Sequence, residues 1–371
     1  MAGHTREARY FTEGARGLRA LTLALQQAKR AEQRVSIKQL ASALGLSTST
    51  VSRALNGYTD VNEQTRERVQ AMAAAMGYRP DAGARRLVRG KTDAVGIVYS
   101  AAVENLGNPQ FLDMADGLGE RLQSKQLDLL LAVAKNETDL TFYERLFHGG
   151  RVDAVVVPNT RVHDPRVDYL REKGYPFVGY GRTHACDDYS WVDFDNDMGS
   201  RLAVEHLLEL GHTRFAYVHA PLELNFAFQR HRGYMAALKA RNLDCPAHYR
   251  VGDVQDRRSG LQAVQALLAM SPRPTAVLVD NNLGGVGVIR GLMDAGLRVG
   301  QDISVVVHGD IPQDTLLTGM PVTTVTQPTP HTTGEALADM VFQVLHAPED
   351  GPYHLLRQPG LQLGTTTGPV R

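Results

Sequence analysis

Apolar residues follow a helical period near the start of the chain, where residues 35–56 read VSIKQLASALGLSTSTVSRALN. Ser36 and Gln39 have the spacing of a capping box, which predicts that a helix begins there. Gly45 permits the backbone reversal that ends this first helix. Its inward stripe, spaced as on one helix face, consists of Ile37, Leu40, Ala41 and Leu44.

A second short helix is predicted only three residues further on, and a third follows it. Ser47 is a suitable N-cap for the second helix, whose inward positions are Val51 and Leu55. Two short helices joined this closely, with facing apolar stripes, form a helix-turn-helix. The third helix is predicted over residues 62–76 and ends at Gly77. Its inward residues are Val69, Met72, Ala73 and Met76.

The outward face of the second helix carries short or hydrogen-bonding side chains. A recognition helix presents such residues, in its first turns, to base edges in the major groove of DNA. Arg53 is able to donate two hydrogen bonds to one guanine. For the helix pair alone, an exposed pair in any helical bundle is an equally good interpretation. The candidate DNA contacts are Ser36, Thr48, Ser49, Thr50, Ser52, Arg53 and Asn56.

From Ala94 onward, short β-rich runs alternate with helical ones. Strands are predicted at residues 94–99, 127–134, 154–157, 177–180, 215–219, 276–279 and 304–307. Helices are predicted to begin near residues 111, 140, 198, 229, 259, 283 and 332. Alternation of this kind is typical of an α/β domain with parallel sheets and helices on both faces.

Formal charge is distributed unevenly, although the net charge is zero. Residues 1–93 contain 16 Lys or Arg against 8 Asp or Glu, whereas the remainder contains 24 against 32. A polyanion such as DNA attracts the basic part and repels the acidic part. Charge alone leaves open the alternative of an ordinary solvated face.

Composition narrows the class of protein. A chain of 371 residues suggests a small module plus a large one. It contains no apolar run of about 18 residues and no signal-peptide core, so we predict a cytoplasmic protein without a membrane partner. Cys186 and Cys245 lie outside any Cys/His cluster, which argues against a disulfide framework and against a metal site. No cofactor is expected.

Signals for catalysis are weak. The chain lacks G-x-S-x-G, P-loop and H-E-x-x-H motifs. The run GVGVIRG at residues 285–291 resembles a dinucleotide-binding loop, but its last spacing is wrong and the acidic partner is missing. Close helix–sheet packing is the better explanation of these glycines. We therefore predict that the protein is not an enzyme.

Four segments carry a resemblance to a known family: STVSRALN at 49–56, TRERV at 65–69, GYRP at 77–80 and ARRL at 84–87. They closely resemble the lactose/galactose repressor (LacI/GalR) family of transcriptional regulators, and the resemblance continues to about Leu345. It implies a homodimer that binds a palindromic operator in double-stranded DNA. It also implies a large domain of two lobes, like a periplasmic sugar-binding protein, with a small sugar-like effector between them.

The same resemblance implies a hinge that becomes helical only on operator DNA. Leu87 matches the leucine that wedges into the central base step, and Ala84 matches the small residue beside it, so both join the candidate DNA contacts. An apolar wedge bends the duplex and lets more protein surface touch it. Residues 81–88 are too few to stay helical in water, and Gly83 costs about a further 1 kcal/mol of helix propensity.

The predicted organisation has five parts. An N-terminal extension, disordered or a helical arm, is followed by the helix-turn-helix headpiece, the hinge, the two-lobed effector-binding and dimerisation domain, and a tail that completes this domain. Their bounds are 1–34, 35–79, 80–92, 93–346 and 347–371.

Effector ligands are expected at strand ends of the large domain, because open α/β sheets bind ligands there. Asp310 follows a predicted strand, whereas Gly309 stands where the family usually has a carboxylate. Asp195 is interpreted as a helix cap. Directional Arg, carboxylate and amide groups suit a polyhydroxylated ligand. By resemblance the effector-contacting positions are Arg182, Arg230, Asn281 and Gln327. Candidate aromatic walls are Phe111, Phe194 and Phe228.

A surface or capping role is the alternative for each of these residues. Taken together, the sequence predicts a repressor of carbohydrate uptake or catabolism genes that the effector releases from DNA or recruits to it. A solute-binding protein without DNA binding and a sugar-metabolising α/β protein are the alternatives.

Overall fold

The computed structural model describes residues 35–78, 91–100, 108–136, 138–244, 246–311 and 319–371. It divides into two compact units, one within Met1–Gly90 and one formed by Lys91–Arg371. The extension 1–34 and the hinge residues Gly83, Ala84 and Leu87 lie outside the described residues. What the sequence indicates about them stays a prediction.

The headpiece folds as three helices with the predicted caps. The Ser36 hydroxyl accepts the backbone N–H of Gln39, whose side chain accepts the Ser36 N–H at 2.8 Å. Gly45 has a φ of 65°, which ends the first helix as expected. Ser47 caps the second helix. The helices are α1 (Ile37–Leu44), α2 (Thr48–Leu55) and α3 (Glu63–Ala75).

Apolar residues from all three helices form the headpiece core. Ala54, rather than the predicted Leu55, is fully buried, and Leu55 packs half-buried at the margin. Positions three and four residues from Val51 share its helix face, and here the smaller side chain takes the interior position. The fully buried residues of this core are Leu40, Val51, Ala54 and Val69.

The large domain contains two sheets of six strands with equivalent strand orders. Lobe 1 comprises β1 (Ala94–Ser100), β2 (Asp128–Ala134), β3 (Ala154–Val157), β4 (Phe177–Tyr180), β5 (Ser190–Phe194) and β11 (His354–Arg357). Lobe 2 comprises β6 (Phe215–Val218), β7 (Arg250–Val251), β8 (Ala276–Val279), β9 (Ser304–His308), β10 (Thr323–Thr326) and β12 (Gly360–Gln362). In lobe 1 the strand order is β2-β1-β3-β4-β5-β11, and in lobe 2 it is β7-β6-β8-β9-β10-β12. Only β10 and β12 pair antiparallel among the described strands.

Helices cover both sheets, since parallel strands need crossover connections. Lobe 1 carries α4 (Pro109–Ser124), α5 (Leu140–His148), α6 (Pro165–Lys173) and α11 (Pro330–His346). Lobe 2 carries α7 (Asn196–Glu209), α8 (Asn225–Ala240), α9 (Arg257–Ala269) and α10 (Asn282–Asp294). Short 3₁₀ turns lie at Ala247–Tyr249 and Pro348–Asp350. No helix in the described ranges is long and apolar enough to cross a bilayer.

The two-lobed α/β architecture is confirmed, and the predicted strands match within one or two residues. Helix α6 and strands β5, β7, β10, β11 and β12 are not among the predicted elements. Strand β5 is buried throughout although it contains Ser190 and Asp193. These polar residues interrupt the apolar pattern by which a buried strand is predicted. Helix α8 begins at Asn225, and Arg230 therefore lies inside this helix rather than at its start.

Glycines in the run 285–291 serve packing, as the sequence indicates. A Cβ on Gly285 would collide with the side chain of Val307 in β9, and one on Gly287 would collide with the backbone carbonyl of Arg257 in α9. Only glycine allows α10 to lie this close to its neighbours.

The C-terminal residues are fastened to lobe 2. Thr366 is fully buried, and its hydroxyl donates to the Val305 carbonyl at 2.8 Å and accepts the Thr323 N–H at 2.9 Å. The chain passes between the lobes after β5, after β10 and after β11.

A buried ion pair in lobe 1 fixes the loop that follows β3. Arg166 bonds Asp164 at 2.7 and 2.9 Å, and it also donates to the carbonyls of Pro158 at 3.0 Å and Asn159 at 3.1 Å. Both charged side chains are inaccessible to solvent. Burial alone would raise the pKa of Asp164, but the hydrogen bonds and charge of Arg166 outweigh it and hold this pKa below its usual value.

Replacing this arginine should destabilise the large domain strongly. Arg166→Met leaves the Asp164 carboxylate buried without its counter-charge, so we expect a loss of about 3–5 kcal/mol in urea unfolding at pH 7. The control Arg298→Met removes only the exposed pair with Asp302, whose attraction is screened by solvent, and should lose far less stability.

The difference between wild type and Arg166→Met should depend on pH. Because the pKa of Asp164 is depressed in the folded protein, the stabilisation is present above the unfolded carboxyl pKa and is lost as the pH falls through the folded pKa. Equal losses for Arg166→Met and Arg298→Met at pH 7 would contradict this account.

Candidate functional site

A cleft lies between the two lobes at the carboxyl ends of their strands. It contains a first cavity of about 240 Å³ and an adjoining second cavity of about 180 Å³. Asn159 follows β3, Asn281 follows β8 and Gln327 follows β10, and all three line the first cavity. This edge of parallel sheets is where ligands of open α/β folds bind.

Arg230 places a buried cation in the wall of the first cavity. Its Nε donates to Asn196 Oδ1 at 2.9 Å, a terminal nitrogen donates to the Asp280 carbonyl, and the guanidinium lies 4.9 Å from the Phe226 ring centre. Burial lowers the pKa of Arg230, while the nearby Asp280 and Tyr217 act to raise it. The side chain is only 8% exposed and lines the first cavity.

Asp280, which the sequence did not single out, supplies a negative charge close to the Arg230 guanidinium. Its carboxylate is fully buried and accepts the Ala220 N–H at 3.0 Å and the Asn281 side-chain amide at 2.9 Å. Burial raises the pKa of Asp280, against the opposing charge of Arg230. The sequence feature that could have identified Asp280 is its position directly after the apolar run of β8.

Arg182 holds the cleft together rather than lining it. Its Nε donates to Asp193 at 2.8 Å, a terminal nitrogen donates to Gln229 at 3.0 Å, and its guanidinium lies 5.2 Å from the Trp191 ring centre. Asp193 lines the first cavity, whereas Arg182 lines neither cavity. Since Gln229 belongs to α8, Arg182 also links lobe 1 to lobe 2.

Aromatic side chains form part of both cavity walls. Phe194 lines both cavities, and Phe111 lines the second, where it meets Tyr99 edge to face at 4.2 Å. Phe228 lines neither; Phe226 lines the first cavity instead. Residues two positions apart on a helix point to nearly opposite sides, which explains why Phe226 lines the cavity and Phe228 does not.

The amide and carboxylate candidates differ in the hydrogen bonds that their side chains already make within the protein. Asn281 caps α10 by accepting the Gly284 N–H at 2.7 Å, and its amide donates to Val254 at 2.8 Å, so its first role is structural. Gln327 lines both cavities. Asp310 lines the second cavity, where desolvation raises the pKa of its carboxyl group.

Two residues complete the assignment of this region. Asp195 caps α7 by accepting the Met198 N–H at 3.0 Å, as predicted. His308, at the end of β9, lines the first cavity although the sequence did not single it out, and its Nε2 lies 3.0 Å from the Ser200 hydroxyl. Burial and the nearby charge of Arg230 hold the pKa of His308 well below its usual value, so its ring is neutral.

On the headpiece, α2 presents three of the predicted DNA contacts to solvent. Thr48, Ser49 and Arg53 are exposed, and Ser52 is half-buried. Arg53 forms an exposed ion pair with Asp60.

Three other predicted contacts make hydrogen bonds within the headpiece. Ser36 caps α1, the Thr50 hydroxyl lies 2.8 Å from that of Ser47, and the Asn56 amide donates to the Ser52 carbonyl at 2.8 Å.

One group of side chains on lobe 1 has the composition of a metal-ligand set. Asp116 and Glu120 on α4 approach His331 on α11, with ligand atoms within 4.8 Å of one another. Both carboxylates are exposed, and the pair His331–Glu120, at 3.5 Å, is explained equally well as a surface contact between two helices.

Two family models match the two units. Residues 36–81 match the model described as bacterial regulatory proteins, lacI family, and residues 204–367 match the periplasmic binding protein-like domain. The HTH-type transcriptional regulator RafR of Escherichia coli is 36% identical over 313 residues, which cover 84% of this chain and 92% of RafR. The ribose operon repressor of Escherichia coli K12 is 30% identical over 337 residues, covering 88% and 94% of the two chains.

Solved structures of transcription regulators have a similar fold. A complex of the transcriptional regulator CelR with cellobiose superposes with a TM-score of 0.67 at 27% identity, covering 90% of this chain and all of that one. The lac repressor dimer bound to operator superposes with a TM-score of 0.78 over 91% of this chain and all of that one; at 24% identity it supports the fold alone.

Proposed function

Because the chain belongs to the lacI family of bacterial regulatory proteins, we propose that it is a dimeric repressor of carbohydrate uptake or catabolism genes, controlled by a sugar-like effector between the lobes. It is a DNA-binding transcription regulator and not an enzyme. Because a DNA-binding regulator acts where the DNA is, we place it in the cytoplasm, at the nucleoid. The observation that carries the proposal is a polar cleft, built around a buried arginine, in a chain that also has a helix-turn-helix.

Cleft chemistry supports a sugar in particular. Sugar hydroxyls donate to carboxylates such as Asp193 and accept from guanidinium and amide groups such as Arg230 and Gln327. The apolar C–H face of a sugar ring packs on aromatic surfaces, which Phe194 and Phe226 supply. The structure of CelR with cellobiose and the name of the ribose operon repressor are consistent with this class of ligand.

We propose that α2 reads the operator. The exposed ion pair between Arg53 and Asp60 contributes about 0–1 kcal/mol, so Arg53 can leave Asp60 and bind guanine at little cost. The same interface would contain Ser36, Thr48, Ser49, Thr50, Ser52 and Asn56, with Ala84 and Leu87 of the hinge.

Arg53→Ala should weaken binding to the operator by about 1–3 kcal/mol and binding to random duplex by less, because a base contact is lost. Fluorescence anisotropy at one fixed salt concentration measures both affinities. In the control Asp60→Ala, Arg53 is retained and operator affinity should be unchanged or higher. Equal losses on both duplexes would make Arg53 a phosphate contact instead.

Arg230→Ala should leave operator binding intact and abolish the response to effector, since it removes the cation of the first cavity. The matched control is Arg232→Ala, two residues along α8, which breaks only an exposed pair with Asp197. Operator release in the presence of each member of a sugar panel provides the measurement. A response of Arg230→Ala at wild-type effector concentrations would exclude this residue from the site.

A second copy of the chain is the proposed occupant of an apolar surface on lobe 1. Leu131 and Val133 on the edge strand β2 are 48% and 53% exposed, and Leu112 on the neighbouring α4 is 58% exposed. Exposed apolar edge strands are normally covered by a partner. A palindromic operator requires two headpieces, which favours the second copy.

Val133→Glu should therefore shift the protein from dimer to monomer in sedimentation velocity, because a carboxylate would be buried at the interface. The control Leu363→Glu changes a residue that is 63% exposed near the C-terminus and should leave the dimer intact. An undisturbed dimer with Val133→Glu would move the interface elsewhere.

A further inference from the structure

The two cavities of the cleft meet at Gly309. This residue lines both of them, together with Asn159, Tyr180, Phe194 and Gln327. We propose that the effector is an oligosaccharide of at least two linked rings, one in each cavity, and that Gly309 leaves room for the linkage. This inference rests on the proposed function, because it names the class of effector bound in the same cleft.

Gly309 is held in a backbone conformation that favours glycine. Its N–H donates to the Val325 carbonyl at 2.9 Å, which ties the residue to β10, and its φ is 83°. Among the described residues, a Cβ built on it comes within 4 Å only of the Cβ of Asn282, at 3.7 Å. The neighbouring protein would therefore accommodate a side chain, but the junction of the cavities would lose its space.

Cavity size favours a ligand that uses both spaces. Sites for small organic ligands usually measure about 300–1,000 Å³. The first cavity, at about 240 Å³, and the second, at about 180 Å³, each fall short of this range, whereas the two joined reach it. A single sugar ring would fill the first cavity and leave the second to water.

Each cavity has polar side chains beside apolar ones. In the first, the buried side chains of Arg230, Asp193 and Asn196 can bond several hydroxyls of one ring. In the second, Phe111, Pro328 and Pro330 form an apolar surface beside the Asp310 carboxylate. That combination suits one face of a second ring and a hydroxyl at its edge.

Gly309→Asn tests the junction directly, because asparagine tolerates a positive φ better than most residues. The matched control is Gly296→Asn, at the end of α10, where φ is 82° and no atom of the described residues lies within 4 Å of the added Cβ. Isothermal titration calorimetry of the full chain would use glucose, galactose, and the disaccharides and trisaccharides built from them.

We expect wild type and Gly296→Asn to bind one of the oligosaccharides about tenfold or more tightly than its component monosaccharides. Gly309→Asn should lose about tenfold or more of the oligosaccharide affinity and retain the weaker monosaccharide affinity. Asp310→Asn provides a second variant with an unaltered backbone, and it should weaken the oligosaccharide selectively as well.

Preference of the wild type for a monosaccharide would overturn this inference and leave the proposed function intact. So would an equal loss of both ligand classes in Gly309→Asn with unchanged melting temperature. Failure of every sugar to bind or to release the operator would instead overturn the sugar effector of the proposed function, and this inference with it.

Discussion

A buried guanidinium organises the cleft. Arg230 joins α8, on which it lies, to Asn196 at the start of α7 and to the backbone after β8. A cation removed from water is tolerated only when its hydrogen bonds are satisfied, and losing one partner typically costs about 3–5 kcal/mol. The positions of these elements are therefore fixed relative to one another, and the floor of the first cavity is ready before a ligand arrives.

A second set of contacts crosses from lobe to lobe and is weaker. Arg161 pairs with Glu223 at 2.9 Å, and the Gln110 amide donates to the Asp310 carbonyl at 3.0 Å, both in solvent-exposed settings. Exposed contacts of this kind contribute about 0–1 kcal/mol each. These exposed contacts can exchange at little cost, so a ligand that touches both lobes can change the population of their arrangements by its differential affinity.

Gly309 gives the middle of the cleft neither charge nor side-chain volume, since it lines both cavities as a glycine. The residue that follows it, Asp310, brings a carboxylate to the second cavity. Arg230 and Gln327, the positions carried over from the family, line the cleft.

Local patterns by themselves determined the helix starts of the headpiece and most strands. Ser36, Ser47 and Asn62 cap helices through bonds to residues three positions away, so the relevant partners are visible in a short stretch of sequence. Tertiary structure alone decided which candidates line the cleft. Arg182 is occupied by Gln229, 47 residues away, and Arg230 by the backbone of Asp280, 50 residues away. Bonds between such distant segments depend on how the sheets and helices pack together. The sequence of one segment does not reveal that packing.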